Sequence, residues 1–168
     1  MELLELKNRV MECFEIADIN DLKNKLVQTA LNHNTEMYDK FCKLVNNDLS
    51  QDYLQKIFQY YLADRKEKMQ DYTPISLAKL VSKLCKHKEI IDMCAGSGAL
   101  TIQKWNLDKN CKFKLYEFDE NVIPYLLFNL AIRNIKAEVY QMDVLTQEVF
   151  HEYKVIPDEE YSKVEVIK

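Results

Sequence analysis

Glycine is scarce in this chain. Average usage of roughly 7% would give about a dozen glycines in a chain of this length, yet the 168 residues contain 2. Both lie at one place, Gly96 and Gly98, on either side of Ser97. Glycine is required where the backbone takes a positive φ, or where no Cβ fits beside a bound molecule. The sequence therefore predicts a turn with one of these two requirements at Gly96-Ser97-Gly98.

Long apolar runs and paired cysteines are also missing. No apolar stretch approaches the 18 residues typical of a membrane-spanning helix, and Met1 is followed by acids and leucines, unlike a signal peptide. The five cysteines are odd in number and form no Cys-x-x-Cys, and the three histidines have no carboxylate or cysteine at ligand spacing. Neither a disulfide framework nor a zinc site is therefore predicted. We expect a cytoplasmic protein with reduced thiols, no membrane segment and no metal.

The charge balance has no basic excess. The chain carries 23 Lys and Arg against 27 Asp and Glu, which gives a net charge of −4. This balance argues against a chain that holds nucleic acid by its overall field, although it does not exclude a local basic face. Hydrophobic residues at 48% and charged residues at 30% are ordinary for a globular chain, and the length suffices for one core with a helical prefix.

The residues around the two glycines predict a strand, a turn and a helix in that order. Glu89–Met93 is a short apolar run typical of a buried strand, and Ala99–Trp105 combines apolar residues with good helix formers. This order opens a Rossmann-like half of an α/β fold, in which a ligand lies over the carboxyl end of the first strand. The unpaired N–H groups at the start of the helix face that ligand.

A second strand supplies an acid at the spacing expected for a ribose contact. Lys112–Glu117 is predicted as this strand, and Glu117 follows the glycines by about the 20 residues at which nucleotide-binding sheets place a ribose-binding acid. A carboxylate accepts hydrogen bonds from both vicinal hydroxyls. With Asp92 at the end of the first predicted strand and Asp143 at the end of the third (Ala137–Met142), acids would line one edge of the sheet, in the crevice where such sheets bind ligands.

The pattern favours an adenosine ligand without phosphates. The dinucleotide-binding motif Gly-x-Gly-x-x-Gly has a third glycine, but this chain has Thr101 at that position. No Gly-Lys-Ser/Thr phosphate-binding loop occurs either. S-adenosylmethionine has ribose hydroxyls for the acid and no phosphate. Spacing alone favours it over a nicotinamide cofactor, and a nucleotide-dependent oxidoreductase stays open as an alternative.

The first 70 residues predict helices only. They contain no glycine or proline, and their apolar residues recur at three- and four-residue steps, the pattern of amphipathic helices. Four helices are expected, the third capped by Thr35 and the fourth by Ser50. Their aromatic side chains are interpreted as packing residues and Arg65–Lys68 as a solvated helix end. We expect a helical segment at 1–70 and a sheet domain at 71–168.

Four sequence elements resemble those of the adenine-specific (N6) DNA methyltransferases. Asp92–Gly98 is similar to their Asp-Pro-Ala-Cys-Gly-Ser-Gly motif, and Asp71–Pro74 to the Phe-Tyr-Thr-Pro element before the first strand. Leu115–Asp119, followed by Asn129-Leu130, resembles their ribose-acid strand and its helix, and Gln141–Leu145 resembles their third motif, Gly-Asp-x-Leu. The modification subunits of type I restriction systems are the nearest likeness.

The resemblance implies a class I methyltransferase sheet, Rossmann-like, that binds S-adenosyl-L-methionine. It implies methyl transfer to an exocyclic amine of a base taken out of the DNA stack. Thr73-Pro74 by itself predicts a helix start, with Thr73 as the cap and Pro74 in the first turn. The resemblance places Tyr72, Thr73 and Pro74 over the cofactor and the acid of the third motif near the adenine. The residues implied to bind the cofactor are Tyr72, Thr73, Pro74, Asp92, Cys94, Ala95, Gly96, Ser97, Gly98, Glu117, Phe118, Asp143 and Val144.

The sequence departs from the family after the third motif. The family's catalytic Asn-Pro-Pro-Tyr/Phe element, which follows the fourth strand, does not occur. Lys163–Lys168 resembles that fourth strand, and Thr146–Tyr161 is predicted as a polar surface connection with a short helix. We therefore expect a partial sheet of about four strands that contains no catalytic residue, binds the cofactor at most weakly and is inactive alone.

Two explanations for a partial sheet stay open. An unpaired strand edge is rarely left bare, so a second chain would supply the catalytic and target-recognition parts, as in a split or regulated methylase. Alternatively, the chain is cut from a longer protein. In either case DNA would be contacted through the complete enzyme.

Overall fold

The computed structural model describes residues 2–63 and 72–168. The α-helices are α1 (Leu3–Cys13), α2 (Leu22–Leu31), α3 (Thr35–Leu44), α4 (Tyr53–Tyr61), α5 (Ile75–Leu84), α6 (Ala99–Leu107) and α7 (Ile123–Ala131), with a 3₁₀ turn at Ile19–Asp21. The strands are β1 (Glu89–Asp92), β2 (Lys112–Glu117), β3 (Lys136–Asp143), β4 (Glu148–Ile156) and β5 (Lys163–Val166). The predicted boundary at residues 70 and 71 and the charged stretch Arg65–Lys68 lie outside the described residues.

The strands form one mixed sheet in the order β1-β2-β3-β4-β5. β1, β2 and β3 are parallel neighbours, and β4 and β5 are added antiparallel beyond β3. α6 connects β1 to β2, and α7 connects β2 to β3. This arrangement confirms the predicted α/β, Rossmann-like fold with helices at the N-terminus. Within the described residues, no helix combines the length and the apolar character needed to cross a membrane.

The prediction of a surface connection at Thr146–Tyr161 is wrong. Residues 148–156 form β4, which pairs with β3 from Ala137 opposite Val155 to Asp143 opposite Glu148. Tyr153 and Val155 are buried and Lys154 between them is exposed. This two-residue alternation is the mark of a half-buried strand, and the many polar residues of the segment obscured it.

The segment predicted as the family's fourth strand is found elsewhere in the sheet. β5 pairs antiparallel with β4, with Val164 opposite Val155, at the end of the sheet farthest from β1. Six residues separate β4 from β5, which suffices for a hairpin, whereas a parallel crossover needs a dozen or more. The sheet accordingly has five strands instead of about four.

Three helix starts also differ from prediction. Asn34 caps α3 in place of Thr35, because its side chain accepts a hydrogen bond from the Met37 N–H at 3.1 Å. Asp52 caps α4 in place of Ser50. α5 begins at Ile75, so Pro74 and not Thr73 takes the cap position. Shifts of one or two residues are ordinary at helix ends.

One hydrophobic core joins the N-terminal helices to the sheet. Phe128 of α7 contacts Phe14, Tyr38 and Phe41, with ring centroids 5.2 to 5.6 Å apart. Phe58 packs as predicted, because its ring lies 5.0 Å from that of Tyr125. The exposed aromatic side chains of α4, Tyr60 and Tyr61, are not part of this core.

Candidate functional site

Both glycines adopt a positive φ, a backbone conformation that favours glycine. Gly96 has φ of 55° and Gly98 has φ of 98°, values at which an L-residue with a Cβ is strained. They lie in the turn between β1 and α6, which is closed by a hydrogen bond from the Gly98 N–H to the Ala95 carbonyl at 2.9 Å. A second backbone bond, from the Ala95 N–H to the Tyr116 carbonyl at 2.9 Å, fixes the turn to β2. Positive φ favours glycine at both positions, most strongly at Gly98, whose φ of 98° exceeds that of every non-glycine residue with positive φ in the described chain.

The space beside the two glycines differs. A Cβ added at Gly98 would lie 3.1 Å from Cδ1 of Leu126, so this position permits close packing of the turn on α7. A Cβ added at Gly96 would meet no atom within 4 Å. The turn thus presents an open backbone surface at Gly96, where a ligand can approach.

Glu117 lies directly against this turn. Its Oε2 accepts a hydrogen bond from the Gly96 N–H at 2.8 Å, and its Oε1 accepts one from the Asp119 N–H at 2.9 Å. Burial raises the pKa of Glu117, an effect that the backbone N–H groups partly oppose. A carboxylate offers about four lone-pair positions, so each oxygen keeps acceptor capacity for a ligand hydroxyl. The structure therefore brings the predicted ribose acid and the glycine turn together.

Asp92 and Cys94 lie at the start of the same turn. Asp92 Oδ1 accepts a hydrogen bond from the Cys94 N–H at 3.2 Å, and burial raises the pKa of Asp92. Partial burial, followed by the charges of Glu117 and Asp92, raises the pKa of the Cys94 thiol. Both carboxylates therefore act on Cys94, which stays a neutral thiol near pH 7.

An aromatic pair lies beside Glu117. Phe118 is 62% exposed, and its ring meets that of Phe150 edge to face, with centroids 6.1 Å apart. Phe150 belongs to β4, so the sequence prediction, which read that segment as a connection, missed it. Exposed aromatic rings offer a flat apolar surface of the kind on which a base stacks.

Asp143 and Val144 occupy the end of β3 and the turn that follows. Because β1, β2 and β3 are parallel, the ends that carry Asp92, Glu117 and Asp143 share one edge of the sheet, as predicted. The Asp143 Oδ1 accepts hydrogen bonds from the backbone N–H groups of Leu145 at 2.8 Å and Thr146 at 3.3 Å. These bonds lower the pKa of the Asp143 carboxyl group. They also engage one of its two oxygens, Oδ1, in the turn.

Tyr72, Thr73 and Pro74 lie on another side of the turn. Together with α4 and the start of α6 at Ala99, they line a cleft of about 330 Å³. The Tyr72 ring packs against Phe58, 6.1 Å between centroids. This segment, which contacts the cofactor by the resemblance, is thus next to the helix that follows Gly98.

Two buried polar side chains, Asn129 and Arg133, form a hydrogen-bond network that supports the turn, and sequence reasoning did not assign this role to them. Asn129 of α7 donates a hydrogen bond to the Ser97 carbonyl at 2.9 Å, and its Oδ1 accepts one from Arg133 at 2.9 Å. Arg133 also donates to the carbonyls of Leu49 and Gln51 in the connection before α4. Burial lowers the pKa of Arg133 to about 10. The signal in the sequence is a pair of polar residues four positions apart, Asn129 near the end of the otherwise apolar α7 and Arg133 in the turn that follows it.

The site has the features that a phosphate-free nucleoside needs. It offers open backbone at Gly96, an acid with spare acceptor positions at Glu117 and an exposed ring at Phe118. The hydroxyls of Ser97 and Thr101, next to the turn, are buried without a hydrogen-bond partner. Buried polar groups are normally hydrogen-bonded, so these two hydroxyls could donate or accept hydrogen bonds with a bound ligand. Within residues 2–63 and 72–168, no group of three or more His, Cys, Asp or Glu could hold a metal ion.

Comparison with known proteins agrees with this geometry. The family model for the N-6 DNA methylases matches residues 46–165, more than half of the chain. Searches of curated proteins and of solved structures found no match. The matched residues include the cap of α4, the glycine turn, Glu117 and most of the sheet. The chain therefore belongs to the N-6 DNA methylase family.

Proposed function

We propose that this chain binds S-adenosyl-L-methionine and forms the cofactor-binding part of a DNA adenine-N6 methyltransferase. The observation that carries the proposal is the 2.8 Å hydrogen bond between Gly96 and Glu117, which fixes a ribose acid beside an open glycine turn. The family supports DNA as the substrate. All five cysteines are free thiols, which supports a reducing, cytoplasmic setting.

Different residues of the site contact different parts of the cofactor. Glu117 accepts hydrogen bonds from the ribose hydroxyls, and Phe118 with Phe150 provides the surface for the adenine. Gly96 lets the backbone approach the ligand, and Asp143 and Val144 border the adenine end. The bound cofactor supplies an electrophilic methyl group on a sulfonium. The contribution of this chain is to hold and orient that group.

The methyl acceptor must be held by other residues. The sequence has no Asn-Pro-Pro-Tyr/Phe element, whose polar groups would accept hydrogen bonds from the adenine amine. We therefore propose that the chain is inactive alone and that residues outside these 168 supply these groups.

The surface beyond β1 suits such added residues. Among the described residues no strand pairs with the outer edge of β1, and Ile91 in that strand is 65% exposed. α5 buries only Ala78 and Ser82, while Leu80 and Leu84 are 54% and 71% exposed. Residues 72–88 carry four lysines and no acid within a chain of net charge −4. A partner that adds a strand to β1 and brings acids near α5 would cover this surface.

Two assays test the proposed function. Titration calorimetry should show saturable binding of S-adenosylmethionine and none of NAD, because the third glycine and a phosphate site are missing. Binding of NAD alone would instead favour an oxidoreductase. A radiolabelled methyl-transfer assay on adenine-containing DNA should show no incorporation by the isolated chain, and incorporation would refute the proposed inactivity.

A further inference from the structure

The connection before α4, residues 49–51, is held to the sheet domain by its backbone carbonyls. Arg133, in the turn after α7, donates hydrogen bonds from Nε to the Leu49 carbonyl and from Nη2 to the Gln51 carbonyl, both at 2.9 Å. The Arg133 side chain is buried, and the charge of Asp52 favours its charged form. One side chain therefore fixes both ends of this connection.

The middle carbonyl of the connection is held by α6. The Ser50 carbonyl accepts hydrogen bonds from Gln103 Nε2 at 2.8 Å and from Asn106 Nδ2 at 2.6 Å. Gln103 is buried, although glutamine is mostly found at the surface. Because α6 begins directly after Gly98, the connection is attached to the helix that follows the glycine turn as well as to Arg133.

Asn129 continues this attachment to the turn itself. Its Oδ1 accepts a hydrogen bond from Arg133 Nη1, and its Nδ2 donates one to the Ser97 carbonyl, both at 2.9 Å. Asn129 is 1% exposed. The Ser97 carbonyl and the Gly98 N–H belong to one peptide plane, and glycine gives that plane unusual freedom. The hydrogen bond from Asn129 restricts this freedom.

We infer that Asn129 is a positioning residue for the cofactor site. It holds the glycine turn in the conformation that binds the ligand, so that less conformational entropy is lost on binding. Through Arg133 it also couples ligand binding to the docking of the connection before α4. This role rests on the proposed function and adds to it a route from the N-terminal helices to the turn. Because coupling between two sites is reciprocal, ligand binding and docking of the connection stabilise each other.

Three variants separate positioning from stability. In Asn129→Asp the carboxylate still accepts hydrogen bonds from Arg133, now as an ion pair, but it has no donor for the Ser97 carbonyl. Arg133→Lys keeps the buried charge and loses the planar fork of donors. Leu26→Ala is the matched control, because Leu26 is a 0% exposed side chain of α2 that makes no hydrogen bond to the turn. It should lower the unfolding temperature through a cavity alone.

Calorimetric titration of S-adenosylhomocysteine gives the first readout. Asn129→Asp and Arg133→Lys should each weaken binding by about tenfold, and Arg133→Lys provides the test should Asn129→Asp not fold. Leu26→Ala should bind within about twofold of the wild type despite its lower unfolding temperature. If the loss of affinity follows the loss of unfolding temperature across all three variants, the hydrogen bonds are only structural and the positioning role is overturned.

Hydrogen–deuterium exchange measures the coupling itself. At saturating S-adenosylhomocysteine, the wild type should exchange more slowly both at the glycine turn and at the connection with the start of α4. In saturated Asn129→Asp, the slowing should persist at the turn and be lost at the connection. Equal slowing at the connection in both proteins would show that Asn129 does not carry the coupling.

The outcomes distinguish this role from the function beneath it. If the wild-type chain binds no S-adenosylhomocysteine, the proposed function fails and the positioning role fails with it. If wild type and Asn129→Asp bind with equal affinity, the site at the turn stands and the positioning role is overturned.

Discussion

The two sides of β1 are built differently. On the inner side, toward β2, the turn is fixed by hydrogen bonds to Tyr116, Glu117 and Asn129, and every residue of α7 is buried. On the outer side, no described strand pairs with β1. The preceding helix α5, which contacts α6, buries only two small side chains and leaves its leucines exposed. Under the proposed function, the chain would organise a nucleoside site by itself, and the adjoining surface would be open to further residues of the complete enzyme. In this family member, binding and catalysis should be separable.

Among the polar contacts, the largest expected effect is on the inner side, at Arg133. Arg133→Leu leaves the carbonyls of Leu49, Gln51 and Asn129 without their donor, so we expect a loss of about 3 kcal/mol in the free energy of unfolding. Urea denaturation measures it. Lys83→Gln, on exposed α5, should change stability by less than about 0.5 kcal/mol. Similar losses for both variants would remove the distinction between the two sides.

The two glycines should differ in a ranked way. Gly98→Ala adds strain at φ of 98° and a contact of 3.1 Å with Leu126, for a loss of about 2 kcal/mol. Gly96→Ala adds strain alone, about 1 kcal/mol, but places a methyl group where the ligand approaches. Denaturation and calorimetry together should therefore show the smaller stability loss and a clear affinity loss at Gly96. The reverse ranking of stability would contradict the close packing at Gly98.

Ionisation of Glu117 should give a pH signature. Its pKa is raised in the folded chain, so the folded state holds the proton more tightly than the unfolded state. Its stabilising contribution is present below its ordinary pKa of 4.5 and is lost as pH rises through the folded value. Glu117→Gln lacks this loss. The stability of the variant relative to wild type, from urea denaturation, should therefore increase between pH 4 and pH 7, and a decrease would show that the carboxylate is stabilised as the anion.

The smallest effect on the isolated chain is expected at the outer surface. Leu80 is 54% exposed, so Leu80→Gln should change the free energy of unfolding by less than about 0.5 kcal/mol. Leu130→Ala, at a leucine of α7 that is 0% exposed, should cost about 2 to 5 kcal/mol. Comparable losses in denaturation would show that α5 is packed against this chain, leaving no surface for a partner.

Local sequence patterns predicted β2, the glycine turn and the start of α7 well. β2 was predicted at Lys112–Glu117 and found there, because its apolar residues alternate and an acid ends it. The glycine turn was predicted because two glycines in a chain otherwise without them leave little choice of backbone. Pro124 was expected in the first turn of a helix and lies at the start of α7.

Features that depend on distant residues were missed. Phe150 reaches Phe118 only because β4 folds back on β3, and the polar composition of that segment hid its strand. Arg133 meets Gln51 across 82 positions of sequence. The cleft beside Asp52 likewise arises from the packing of α4 near α6, a contact that periodicity within either helix does not specify.

The central claim is that a ligand with ribose hydroxyls binds between Gly96 and Glu117. Calorimetric titration of S-adenosylhomocysteine into the wild-type chain and into Glu117→Gln tests it most directly. The account predicts one saturable site in the wild type and at least about tenfold weaker binding in the variant, because hydrogen bonds to a charged acceptor are lost. Equal affinity in the two proteins, or no saturable binding in the wild type, would contradict it.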